Sequence, residues 1–304
     1  MADSAAKDAL FSLLAPHLCD GARKAAFAEV CDRTESELAA SGGIGTLAEK
    51  TIHAVLKHFY AGAPEYEERR VLLSSGFAGE AGNADSSADG KAGGAGSPAD
   101  GKSARKPRIP GFVADVARPE GVYEIQTRHF YTLKKKLAAF LAVTPVTIVY
   151  PVVHRKTLRW VDPTDGTIRA PRKTGKVDFG YRVLEELYGL GDLFPHEGLS
   201  VKLALLEVEE FKLLDGYGPD RKIRASRSDG FPQELVAEVD LRCPADYAYF
   251  LPATLPEVFT SADYASACKI PRGRAQACVR VLTSLGVITR VPSGGRGYSY
   301  RRAV

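Results

Sequence analysis

The chain has 304 residues, of which 45% are hydrophobic and 26% charged, and a formal net charge of +4. This is ordinary for a globular protein, and the length suffices for two domains with their own cores. No apolar run reaches the roughly 18 residues of a membrane span, and the opening MADSAAKDALFSLLAPHLCDGARK lacks the form of a secretory signal. Five scattered cysteines form no CxxC pair, so neither a disulfide framework nor a zinc ribbon is indicated, and a reducing cytoplasm is the simplest setting.

Residues 6 to 40 read as helical, carrying Leu10, Leu13, Leu14, Phe27 and Val30, until Gly42, Gly43 and Gly45 break the chain. Thr46 is an N-cap candidate with Glu49 three residues on, the spacing of a capping box. The helix it opens places Leu47, Ile52, Val55, Leu56 and Phe59 near helical period. YEERRVLL then reads as a strand. From 75 to 109 the composition collapses to Gly, Ala, Ser and Asp, as in GFAGEAGNADSSADGKAGGAGSPADGKSAR. Almost nothing there can be buried, so this stretch is expected to be a disordered insertion that elongates a hairpin loop.

A strand GFVADVA, a turn RPEG, a strand VYEIQT, a helix through FYTLKKKLAAFLA and a strand VTIVYPVV follow. The helix between the last two strands permits a crossover and hence a partly parallel sheet. TLRWVDPTDGTIRAP reads as a hairpin turning at Asp165-Gly166, FGYRVLEELYGL as a helix, and LSVKLALLEVEEFKLLD as a long strand. The last segment differs. TSADYASACK and PRGRAQACVRVLTSLG read as two helices, and VITRVPSGGRGYSYRR as a Gly-turned hairpin, which is the order of a winged helix-turn-helix. The expected fold class is α/β, a mixed sheet flanked by helices, with N-terminal helices over 1–45, the α/β domain over 46–245 and the winged helix over 255–304.

After Asp263 the sequence has no acidic residue, whereas Lys269, Arg272, Arg274, Arg280, Arg290, Arg296, Arg301 and Arg302 follow. Such a stripe attracts polyanions, although charge alone describes a solvated tail equally well. On the second of these helices Ala275, Val279, Leu282 and Leu285 are expected to face the core. That leaves Arg272, Arg274, Gln276 and Arg280 to meet DNA, where Arg and Gln read base edges in the major groove. Arg296 stands at the tip of the wing, within reach of a phosphate or the minor groove. A domain of this kind used for protein contacts is the alternative. Three further basic clusters, HRK at 154–156, RAPRKTGK at 169–176 and DRKIRASR at 220–227, lie near Trp160 and Tyr181 and suggest a phosphate-tracking surface.

Chemistry is concentrated in GFVADVARPEGVYEIQT. Residues two apart on a strand face the same side, so Glu124 and Gln126 are expected to project together, and pairing across RPEG brings Asp115 close to Glu124. Carboxylates at that separation repel unless a cation sits between them. Hard oxygen donors suit Mg²⁺, with Mn²⁺ as a substitute, and such an ion activates water at a phosphoryl centre. Surface strands that carry Asp and Glu by chance are the alternative. His53 and His58 are five residues apart, off the i and i+4 spacing of a metal pair, and are expected to be core or surface residues. SGGIG at 41–45 lacks the Lys-Ser/Thr of a P-loop and reads as a hinge.

A helix with Glu49, a strand, a strand with Asp115, then Glu124-Ile125-Gln126 and a helix with Lys134, Lys135 and Lys136: over roughly residues 46 to 153 this order resembles the restriction-endonuclease-like superfamily, the PD-(D/E)XK nucleases. The resemblance implies a mixed sheet flanked by helices, with Asp115 and Glu124 binding Mg²⁺ together with the carbonyl of Ile125. Glu49 matches the acidic residue that some members place on the first helix. Gln126 stands where the commonest members have lysine, as in E-x-Q branches. Its amide would orient the attacking water without supplying charge, a task left to Lys135 or Lys136. The implied function is a metal-dependent nuclease acting on DNA and positioned by the winged helix. A non-catalytic DNA-binding regulator with a degenerate nuclease-like core is the main alternative, and a protein scaffold the third. No membrane partner is expected, and the oligomeric state is left open.

Overall fold

The structure, a computed structural model, describes residues 2–40, 48–72, 111–162, 164–214, 226–292 and 297–303. The insertion expected at 75–109 lies outside these. The N-terminal helical stretch is two helices, α1 (Ala2–Leu14) and α2 (Gly21–Ala40). Pro16 sits in a 3-10 turn at Ala15–His17 and cannot donate a helical hydrogen bond. Asp20 then restarts the helix by accepting the Arg23 N–H at 2.7 Å. Helix α3 (Ala48–Ala61) follows, with Ile52, Val55, Leu56, Phe59 and Tyr60 buried along one face.

The centre of the molecule is a mixed sheet. Its strands are β1 (Glu67–Leu72), β2 (Gly111–Arg118), β3 (Gly121–Ile125), β4 (Val146–Val161), β5 (Arg172–Lys173), β6 (Leu199–Leu213) and β7 (Ser226–Leu241). They run in the order β1-β2-β3-β4-β6-β7, with β5 paired on the far part of β4. β3 and β6 both lie parallel to β4, whereas the other pairs are antiparallel. The two parallel joins are made by crossovers that contain helices, α4 (Lys134–Leu141) between β3 and β4 and α5 (Arg182–Tyr188) between β4 and β6. β7 is a strand that the sequence reading passed over, although Leu235, Ala237, Val239 and Leu241 alternate into the core along it. Likewise β4 runs on to Val161 as one strand. Its end turns back through Thr164–Gly166, so that Thr157 and Leu158 pair with β5.

Alternation along the strands divides the apolar residues between two layers. Val149, Ala204, Leu206 and Leu235 pack with Phe27, Val55 and Leu56 under α2 and α3. Ile148, Tyr150, Leu203 and Val239 pack with Leu137, Phe140, Leu184 and Leu187 on the other face. That second core continues into the C-terminal segment, where β8 (Val258–Thr260), α6 (Ser261–Cys268), α7 (Arg272–Ser284), β9 (Ile288–Val291) and β10 (Ser299–Arg302) follow in turn. The three strands form their own antiparallel sheet in the order β8-β10-β9. Thr260 caps α6 in a reciprocal capping box with Asp263. Buried Tyr264, Val279 and Leu282 join this segment to the apolar layer beneath the sheet. Among the described residues no helix is long and apolar enough to cross a membrane.

Candidate functional site

The turn between β2 and β3 fixes where their carboxylates lie. Gly121 has φ +149°, and a Cβ there would stand 2.7 Å from the Pro145 carbonyl oxygen, so glycine is required for β3 to seat against the start of β4. From this turn the ladder runs Arg118↔Gly121, Ala117↔Val122, Val116↔Tyr123. Beyond that point side chains replace the backbone ladder. The Asp115 N–H donates to Glu124 Oε1 at 3.3 Å, and the Ile125 N–H donates to Asp115 Oδ2 at 2.9 Å. Each strand thus holds the carboxylate of the other, and both acids are gathered in the gap.

Two side chains approach this pair from different helices. Lys136, in the first turn of α4, places Nζ 2.5 Å from Glu124 Oε2. His53, from α3, places Nε2 3.4 Å from Asp115 Oδ2. The two acids respond differently. Burial, reinforced by the Asp115 charge, pushes the Glu124 carboxyl up to about 7, against the opposing pull of Lys136. Burial also acts to raise Asp115, but His53, the Ile125 N–H and Lys136 outweigh it and leave that carboxyl below its ordinary value. Near neutral pH Asp115 is the fixed anion and Glu124 the group poised between its two states.

This donor set fits a hard divalent cation. Glu124 is only 2% exposed and its ionised form is disfavoured where it stands, a condition that positive charge between the two acids relieves. No group of three or more His, Cys, Asp or Glu side chains gathers for a metal among the described residues. Two carboxylates are enough for Mg²⁺, which keeps several of its waters. Glu49 lies in the first turn of α3, one helical turn before His53, and its side chain is outside the described part.

Gln126 departs from its expected place. β3 ends at Ile125, the Gln126 N–H continues to the Val149 carbonyl at 3.0 Å, and its side-chain amide donates to the Arg128 carbonyl at 2.5 Å. The amide therefore serves its own loop, and the amine beside the carboxylates is that of Lys136. His53 and Lys136 are the residues that sequence reasoning undervalued. The helix phase was the available signal: Lys136 is half-buried, next to buried Leu137, while Lys134 and Lys135 are exposed.

In the C-terminal segment Arg272, Gln276 and Arg280 form an exposed stripe on α7 at steps of four, flanking buried Ala275, Val279 and Leu282. Arg274 does not share it. Its Nε reaches Glu185 Oε2 of α5 at 3.1 Å, a pairing that clamps α7 to the crossover helix. Arg296 lies outside the described residues. The HRK cluster is also altered: His154 is buried beside Phe11 and Phe179, while Arg155 and Lys156 pair with Glu207 and Glu210 of β6. Tyr181 is buried, and DRKIRASR falls largely outside the described residues. In the second cluster Arg169, Arg172, Lys173 and Lys176 are exposed around β5.

Residues 99–242 match the profile of a family described as a domain of unknown function (DUF8091). The chain is also similar to an uncharacterized protein of Treponema pallidum (strain Nichols), 29% identical over 204 residues, which is 66% of this chain and 79% of that protein. No solved structure matches the chain. The family match takes in Asp115, Glu124 and Lys136 and stops short of α6 and α7.

Proposed function

We propose that the chain is a metal-dependent nuclease acting on DNA, with Asp115 and Glu124 holding Mg²⁺ or Mn²⁺. The observation that carries this reading is the carboxylate pair, half-buried Asp115 and buried Glu124, each held by the other's strand, with one of its acids costly to ionise. The order α3, β1, β2, β3, α4, β4, with Asp115 on the second of these strands and Glu124 on the third, supports the restriction-endonuclease-like resemblance. The C-terminal order of helix, turn, helix and paired strands supports a winged helix-turn-helix, in which the stripe Arg272, Gln276 and Arg280 meets the major groove.

When bound, the ion supplies an activated water and stabilises charge on the phosphoryl oxygens. The residues of the chain do the positioning. The Ile125 N–H and His53 hold Asp115 ionised and oriented, and the Ile125 carbonyl is the third donor that the resemblance implies. Lys136 steadies Glu124 and brings a positive charge to where negative charge develops on the phosphate, the task otherwise given to the position of Gln126.

The test is incubation with single-stranded, duplex and branched DNA in Mg²⁺ or Mn²⁺, comparing wild type with Asp115→Ala and Glu124→Ala. Metal-dependent cutting is expected from wild type, with a loss of at least about 10³-fold in each variant at unchanged circular dichroism. Cutting that survives both changes sinks the assignment. A second reading, a DNA-binding regulator with a degenerate core, is favoured by the engagement of Gln126 with its own loop. Salt-dependent DNA binding by a chain that cuts no substrate would select it.

A further inference from the structure

The loop that leaves β3 at the carboxylate pair packs against α5, and its exposed side chains include basic and aromatic ones. Arg128 and His129 are exposed, and the His129 ring meets Tyr131 edge-on with centroids 5.6 Å apart. The Cβ of Tyr131 lies 3.9 Å from where a Cβ on Gly189 would stand, just past the end of α5. The last residue of α5, Tyr188, carries the Arg280 guanidinium 5.9 Å from its ring centroid. Tyr131 is 58% exposed and Tyr188 57%. A folded chain normally turns such large rings inward, and here two of them stand in solvent a short distance apart.

Charge on the strip is one-sided. The acids beneath it are committed, Glu185 to Arg274 at 3.1 Å and Glu186 to Arg182 at 3.7 Å, with Glu186 also accepting the Phe130 N–H at 3.3 Å. The same contacts bind the loop, α5 and α7 into one surface, so its spacing is held by structure. Asp192 is exposed at its rim, beyond α5.

We propose that His129, Tyr131, Tyr188 and Arg280 form a track for a single-stranded segment of nucleic acid that runs between α7 and the carboxylate pair. This rests on the nuclease reading and narrows its substrate to DNA with an unpaired stretch, such as a frayed end, a flap or a branch. Exposed rings with an arginine against one of them are stacking platforms for bases, whereas the bases of a duplex are already stacked and out of reach. Backbone charge alone would not call for tyrosine.

The test is fluorescence anisotropy of the full chain with labelled oligothymidine and with a duplex of equal length, at two salt concentrations and in EDTA. Tyr131→Ala and Tyr188→Ala are each expected to weaken single-strand binding by roughly 5- to 100-fold, with duplex binding within about twofold of wild type. The phenylalanine variants at both positions should bind as wild type does. Both rings are exposed, so the alanine variants are expected to melt as wild type does. Wild-type binding to duplex but not to the single strand, or alanine variants that bind the single strand undiminished, overturns the track and leaves the nuclease reading standing. Failure of wild type to bind either form overturns both.

Discussion

Two glutamates on the same sheet, Glu124 buried and Glu238 half-buried, are treated in opposite ways. Glu238 on β7 receives Arg23 in a two-pronged contact at 2.7 and 2.9 Å, the Tyr60 hydroxyl at 2.8 Å, and Lys202 at 3.8 Å. Burial acts to raise its pKa, but Arg23, Lys202 and Tyr60 outweigh that and hold the carboxyl below its ordinary value. Glu124 on β3 has one lysine and one weak backbone N–H, faces a second carboxylate, and is pushed up to about 7. Desolvation acts to raise both, more deeply at Glu124, and the partners reverse it only at Glu238. A carboxylate with its charge fully answered ties α2 and α3 to the sheet; one left in deficit is a place where a cation has work to do.

That contrast predicts opposite stability effects from the same chemical change. Glu238→Gln leaves Arg23 with its guanidinium over Phe59, 4.1 Å from the ring centroid, and without its anion. The expected loss is about 2–4 kcal/mol in urea unfolding. Glu124→Gln removes a charge that the fold holds at a cost, and in EDTA it should stabilise the chain by about 1–2 kcal/mol once the loss of the Lys136 contact is offset. The sign follows from linkage. With a folded pKa near 7 against an ordinary 4.5, the native state holds more proton than the unfolded chain between those values, so stability falls as pH rises through that window. The gain from Glu124→Gln should therefore be absent below pH 4.5, grow to about pH 7 and level off. Destabilisation by Glu124→Gln at pH 8 would mean that Lys136 answers the charge in full, and the contrast between the two glutamates would fail.

A smaller effect separates the sites by their response to metal. Mg²⁺ at ten times its dissociation constant should raise wild-type stability by about 1.4 kcal/mol, read as a higher Tm, and leave Asp115→Ala unmoved. Glu238→Gln should retain the full increment, since its defect lies away from the ion. An equal rise in all three proteins would place the ion elsewhere.

The sequence showed the pair but not its balance. Asp115 and Glu124 were legible because a short hairpin fixes register, and a turn such as RPEG leaves few ways to pair its strands. Lys136 was one of three adjacent lysines, and only the rotation of α4 over the buried Leu137 and Phe140 decides which of them turns inward. His53 depends on how α3 crosses the sheet, which no local pattern states. The bond from the Gln126 amide to the Arg128 carbonyl is set by the loop after β3, which strand alternation does not describe. Arg274 looked like its exposed neighbours on α7, and its partner Glu185 lies 89 residues away in sequence. β7 was missed although its apolar residues alternate, and Glu238, which sits on it, went unseen with it. Contacts remote in sequence are thus what separates the acid whose charge is answered from the one left in deficit.

The weakest expected signal is the acid limb, and it bears on the same distinction. Because the folded pKa of Glu238 lies below the ordinary 4.5, its contribution is fully present above that value and is lost as pH falls through the folded value. One proton changes stability by at most about 1.4 kcal/mol per pH unit. The stability difference between wild type and Glu238→Gln should therefore be constant from pH 8 to about pH 5 and shrink below 4.5, as measured by urea unfolding at a series of pH values. A difference that shrinks already between pH 7 and 5 would mean that Glu238 titrates where Glu124 does, and that the bidentate arginine does not hold its charge. A difference that stays constant down to the acid limit would assign the loss in Glu238→Gln to packing around Arg23 and Tyr60, with the carboxylate serving as shape rather than as charge.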